Sequence, residues 1–156
     1  MSDPVINNTR QRSILAILLF FFLEVAHAEG SPYKIDLNMV YAIVNPANLQ
    51  SSISKNGLNA IFYMRLRNWS DGSPVTVFVL QDDNALHKQF CKQRLNVFPH
   101  QMRKGWNKLI FSGTGQAPML LNSKEEMLAK VSQTPGAVGY ISGKDLTADV
   151  KILEIE

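Results

Sequence analysis

Apolar and polar positions fall in blocks along the chain, and the spacing inside each block predicts its secondary structure. Met39 to Asn45 (MVYAIVN) is an unbroken apolar run, rich in β-branched and aromatic residues and stopped by Pro46, which predicts a buried strand. Ser51 and Ser52 are positioned to cap a helix reaching about Tyr63, with Ile53, Leu58, Ile61 and Phe62 on its apolar face. The turn formers Asn68 to Pro74 follow, then a second strand, Val75 to Leu80 (VTVFVL). Gln81 to Asn84 makes a polar exit into a helix running to about Leu95, with Leu86 and Phe90 inward. Pro99 opens another helix to Phe111, on which Trp106, Leu109 and Ile110 are expected to pack, and Ser112 to Gly115 ends it. Ser123 with Glu126 forms a capping box before a helix striped by Met127, Leu128 and Val131, closed by Pro135-Gly136. Val138 to Ile141 and Val150 to Ile155 read as two last strands. Strands alternating with helices predict an α/β domain with a largely parallel or mixed sheet flanked by helices.

One block stands apart. Ser13 to Leu23 (SILAILLFFFL) is continuously apolar, preceded by Arg10 and Arg12 and followed by the small-x-small triplet Ala26-His27-Ala28. That order is the layout of a secretory signal peptide. The run is far shorter than the roughly 20 apolar residues a membrane span requires. The expected processing is removal of residues 1–28 by cleavage between Ala28 and Glu29, leaving 29–156 as an exported domain; an uncleaved N-terminal anchor is the alternative. No Cys stands at the cleavage point, which closes the lipoprotein route. Cys91 is the only Cys in the chain, so no internal disulfide forms. In its helix it is either a buried thiol or a site of intermolecular pairing.

The formal charge of +3 is unevenly spread. No acidic residue occurs from Asn84 to Ser112, a stretch holding Lys88, Lys92, Arg94, Arg103, Lys104 and Lys108, while the rest of 29–156 is net acidic. A local field of +6 attracts small anions, phosphate-bearing surfaces or an acidic partner, and weakens as salt rises. It is equally the signature of ordinary solvated helix faces. Nucleic acid is not an expected partner, because export separates the chain from it and no nucleic-acid motif is present.

Catalytic chemistry has no support in these residues. His87 and His100 sit in no zinc-binding spacing, no G-x-S-x-G elbow surrounds a Ser, and no nucleophile signature surrounds Cys91. Gly113-Thr114-Gly115 lacks the Lys and the strand-then-helix setting of a phosphate-binding P-loop. No enzyme activity, cofactor or metal is therefore expected. Ligands of open α/β sheets bind beyond strand ends, where helix starts offer unpaired N–H groups. Two segments pass from strand to helix in this way, Asn45 to Ser52 and Gln81 to Asn84. The candidate anion-binding residues are Asn45, Asn48, Ser51, Ser52 and Asn84.

The order of segments also carries a resemblance. VNPAN (Val44 to Asn48), IFYMRLRNWSDGSPV (Ile61 to Val75), the VFVL strand, the Trp106 to Pro118 stretch W-x-x-x-I-F-S-G-x-G-Q-x-P and TPGAVGYI (Thr134 to Ile141) together resemble the phosphate-binding-protein-like family of periplasmic solute-binding proteins. The resemblance implies a type II periplasmic-binding-protein fold, a periplasmic location and an association with phosphate uptake by an ABC transporter. Family members close two lobes on phosphate, whereas 29–156 resembles one lobe. Where the family enters its anion-binding helix through an Arg and a Ser-Gly-Thr element, this chain reads Gln81-Asp82-Asp83-Asn84-Ala85-Leu86-His87. Two carboxylates there repel a phosphate dianion, so no phosphate-contacting residue is transferred from that element.

Two functions follow as expectations. One is a solute-binding-like protein that takes phosphate or another small anion non-covalently, with a homodimer able to rebuild a two-sided cleft. The other is a single-lobe interaction module docking on a membrane transporter, porin or sensor ectodomain without enclosing a ligand.

Overall fold

The computed structural model describes residues 34–156; the predicted signal peptide and the cleavage point between Ala28 and Glu29 lie outside the described residues. Residues 35–156 form one compact unit. At its centre are β1 (Val40–Val44) and β5 (Ala137–Ser142), every residue of which is buried. They run antiparallel, Val40 opposite Ser142 and Val44 opposite Val138. β3 (Thr76–Leu80) lies parallel to β5 on its other side, and β4 (Met119–Leu121) lies parallel to β3 at the edge. β6 (Lys151–Ile152) pairs antiparallel with β1, giving a mixed sheet of order β4-β3-β5-β1-β6. The continuous apolar runs of β1, β3 and β5 are what burial on both sheet faces requires.

Helices cover both faces, and β5 shows how they divide. Successive strand residues point to opposite sides. Gly139 leaves room for Met127 and Val131 of α4 (Lys124–Gln133), whereas the ring of the next residue, Tyr140, stacks on Phe90 at 4.1 Å. Phe90 ends α2 (Ala85–Phe90), which continues as a π turn, Cys91–Leu95. On the same face Phe62, the last residue of α1 (Lys55–Phe62), packs 4.7 Å from Phe90. Trp106 of α3 (Pro99–Phe111) donates its indole N–H to the Phe62 carbonyl at 2.8 Å. Each of these fully buried side chains contributes about 1.5–3 kcal/mol through burial.

Four expectations are corrected. The first helix is not capped by Ser51 or Ser52: Ser54 Oγ accepts from Gly57 N, and the helix starts at Lys55. Ser52–Ile53 instead forms β2, paired parallel with β7 (Glu154–Ile155) in a separate two-stranded sheet. This contact spans a hundred residues, so no local pattern displays it. The run Val150 to Ile155 correspondingly splits into β6 and β7, which serve different sheets. β4 is a strand the sequence reading omits: its apolar run, Met119-Leu120-Leu121, is only three residues long, and two of the three are exposed. On α3 the core is met by Met102 and Trp106, while Ile110 is 44% exposed.

Candidate functional site

Strand direction decides where a ligand can sit. β3, β4 and β5 are mutually parallel, so Leu80, Leu121 and Ser142 end at one edge of the sheet. Beyond that edge is a hollow of about 430 Å³ whose lining includes Asn84, Ser123, Lys124, Ser142, Lys144 and Asp145. Three chain turns converge there. Asn84 caps α2, its Oδ1 accepting from Leu86 N at 2.9 Å. Ser123 caps α4, its Oγ accepting from Glu126 N at 3.1 Å. Ser142 precedes a 3-10 turn, Gly143–Asp145. Helix starts leave backbone N–H groups unpaired within the helix and carry partial positive charge, a setting suited to an anion.

The charges at this hollow are balanced. Lys124 Nζ lies 2.6 Å from Asp145 Oδ1, and that hydrogen bond holds the ammonium pKa above its ordinary value. Lys144 and Glu125 complete two cations and two carboxylates in the lining. Neither Asp82 nor Asp83 lines the hollow. Arg103 clamps Asp82 through Nε at 3.1 Å and Nη2 at 2.8 Å, a bidentate pair that neutralises it. The repulsion expected from that carboxylate is thus removed by an arginine 21 residues away.

The candidate residues do not share one concavity. Because β1 runs opposite to β5, the residues after Val44 emerge at the far edge of the sheet, beside the starts of β3 and β5. Asn45 is buried there, with its amide NH2 on the carbonyls of Val131 and Ser132 and its Oδ1 accepting from Ala47 N. Asn48 Oδ1 accepts from Gln50 N, which orients the amide and leaves its buried Nδ2 without a partner among the described residues. Asn48 borders a smaller hollow of about 240 Å³ with Asp71, Ser73 and Gly136. The Ser51 carbonyl accepts from Glu154 N, and Ser52 Oγ contacts Glu156 Oε1 at 2.5 Å, so both serve the β2–β7 sheet. Of the five, only Asn84 stands at the larger hollow. Ser123 was legible as a helix cap; Lys124, Ser142, Lys144 and Asp145 carried no local signal.

Three of the motifs behind the family resemblance meet at the far edge. Asp71 Oδ1 accepts from Ser73 N and Oγ, and Trp69 donates its indole N–H to the Gly136 carbonyl at 2.9 Å. Gly136, at φ +71, passes so close to the Pro74 carbonyl that a side chain would collide with it. NPAN, NWSDGSP and PGAVG therefore tie the end of β1 to the starts of β3 and β5. In the interior, His87 and Tyr140 form a buried polar pair 2.6 Å apart, with Cys91 3.6 Å from the imidazole. Burial pushes the Cys91 thiol up to about 12, so it is the inert alternative of the two. Among the described residues no group of three His, Cys, Asp or Glu is placed to hold a metal, and no helix is long and apolar enough to cross a membrane.

No protein-family model matches the chain, and no curated protein matches it significantly. Solved structures do. A Clostridium perfringens protein, described as a phosphate ABC transporter substrate-binding protein and solved with bound phosphate, superposes with a TM-score of 0.60 at 14% identity. The match covers 79% of this chain and 47% of that one. PstS from Borrelia burgdorferi matches with a TM-score of 0.58 at 18% identity over 76% of this chain and 47% of its own. An ABC-type phosphate transport receptor from Vibrio cholerae matches at 0.54 and 16%, over 79% and 48%. The chain thus has a type II periplasmic-binding-protein fold and spans about half the length of the structures it matches. At these identities the likeness is one of fold.

Proposed function

We propose that the chain is a solute-binding-like protein that holds a small oxyanion such as phosphate non-covalently at the hollow beyond β3, β4 and β5. The observation that carries this reading is the convergence of Asn84, Ser123 and Ser142, each at the start of a helix or helical turn, beside Lys124 and Lys144. The half-length match to phosphate transport proteins supports the ligand class and a membrane transporter as recipient. Lys144 supplies charge, and Lys124 contributes to the extent that the ligand displaces Asp145. An open hollow encloses little of a ligand, and small-molecule sites generally bury most of it; a homodimer facing two hollows together completes the cleft. Residues 1–28 direct export and are then removed, leaving Glu29 as the first residue of the mature chain.

Titration calorimetry with inorganic phosphate at low salt tests this reading. Binding should be saturable, should raise the melting temperature as any ligand selective for the folded state does, and should weaken about tenfold in Lys144→Ala, as loss of a charged hydrogen bond implies. Absence of both heat and thermal shift at millimolar phosphate sinks it. Intact-mass analysis of exported protein checks the new terminus at Glu29. A second reading, a module docking on a transporter, porin or sensor ectodomain, is favoured by the prior neutralisation of Lys124 by Asp145; it predicts docking by a monomer that ignores phosphate.

A further inference from the structure

We propose that the groove between α2 and the start of α3 docks an acidic segment of a partner protein, with one apolar side chain of that segment seated between two lysines. The groove encloses about 430 Å³ and is lined by Asp82, Lys88, Lys92, Phe98, Pro99 and His100. It shares no lining residue with the hollow described above. Its apolar surface is preformed. Phe98 is 63% exposed and stacks on His100 with ring centroids 5.7 Å apart and planes inclined by 14°. An aromatic surface held rigid and open to solvent is the kind of anchor on which interface energy concentrates.

Its charge is one-sided. Asp82 is the only carboxylate in the lining, and both its oxygens are taken by Arg103. Lys88, Lys92, Lys104 and Lys108 have no ion pair among the described residues. The stretch from Asn84 to Ser112 contains no acid that could offset them. At 100° per residue, His100, Lys104, Lys108 and Phe111 fall within about 80° of arc on α3, opposite the buried Met102 and Trp106. The basic surface therefore runs from the groove along α3 to Phe111, which is 86% exposed. Complementarity to this pattern requires carboxylates flanking an apolar side chain. A bilayer is flat and touches only the rims of such a groove, so concavity favours a protein segment over an anionic membrane.

The test uses the intact exported protein and a fluorescein-labelled heptapeptide with a central Leu flanked by Glu and Asp, followed by anisotropy. The peptide should bind saturably in the range of about 10–100 μM at low salt and weaken steeply by about 0.3 M salt, where the screening length approaches 6 Å. Replacing its Leu by Ser should weaken binding about tenfold, in keeping with loss of one buried apolar side chain. Lys88→Glu with Lys92→Glu should weaken it by more than about tenfold, whereas Lys104→Glu with Lys108→Glu, farther along α3, should cost about two- to threefold. These lysines are exposed, so the melting temperature should barely move. No saturable binding at about 1 mM peptide overturns the proposal. So do equal affinities for the Leu and Ser peptides, or phosphatidylglycerol vesicles binding the wild type more tightly than the peptide and losing that binding in the Lys88/Lys92 variant.

Discussion

Acidification should destabilise this protein through one buried imidazole. His87 is 0% exposed. Leu80 N donates to the Tyr140 hydroxyl at 2.7 Å, and that hydroxyl lies 2.6 Å from His87 Nδ1. The two groups form one buried polar pair, and the imidazole is neutral there. Burial lowers its pKa from the usual 6.5 to about 4; the Asp82 carboxylate pulls upward and Arg103 downward, both more weakly. Above pH 6.5 both folded and unfolded chains hold a neutral His87. Between 6.5 and 4 the unfolded chain binds a proton that the folded chain refuses, so stability falls as pH falls. At about 1.4 kcal/mol for each pH unit, the loss accumulates to about 3 kcal/mol by pH 4. Urea unfolding at pH 7, 6, 5 and 4 should show this fall in the wild type. In His87→Gln the side-chain amide can still hydrogen-bond Tyr140 but does not titrate, so the variant should lose about 3 kcal/mol less over the same range. Parallel stability profiles for the two proteins would refute the argument, whatever the absolute stability of the variant.

Gly136→Ala should destabilise by more than about 2 kcal/mol, because a left-handed backbone and a collision with the Pro74 carbonyl act together; calorimetric melting checks it. Ser123→Ala removes the cap of α4 and should cost about 1 kcal/mol in urea unfolding. Trp69→Phe keeps an aromatic side chain but loses ring volume at a buried position and the bond to the Gly136 carbonyl, for a loss of at least about 1–2 kcal/mol in urea unfolding. Cys91, 0% exposed with its thiol pKa pushed up, should resist a thiol reagent in the native state and react stoichiometrically in denaturant.

The continuous runs of β1, β3 and β5, the Pro99 start of α3 and the Ser123 capping box were legible because each is written within one short window. The same locality explains what was misread. Ser52–Ile53 leaves its expected helix because Glu154–Ile155 offers a strand partner, a competitor that lies outside any local window. Asp82 and Asp83 read as a repulsive pair, and a helix turn far along the chain supplied the arginine that neutralises one of them. His87 read as an isolated histidine, and only packing set Tyr140 against it.

The candidate site shows the division most clearly. Residue types and spacing were enough to mark strand ends that pass into helix starts, the chemistry an anion site requires, and the pattern of helices and strands specified the fold class. Strand direction was not in that pattern, since the apolar run of β1 reads alike whether it lies parallel or antiparallel to β5. Register between distant strands placed Asn45 and Asn84 at opposite edges of the sheet and gathered Ser123, Ser142 and Lys144 beside only one of them. Secondary structure follows from neighbours in the chain; a binding site is assembled from neighbours in space, and the sheet's chain directions choose which those are.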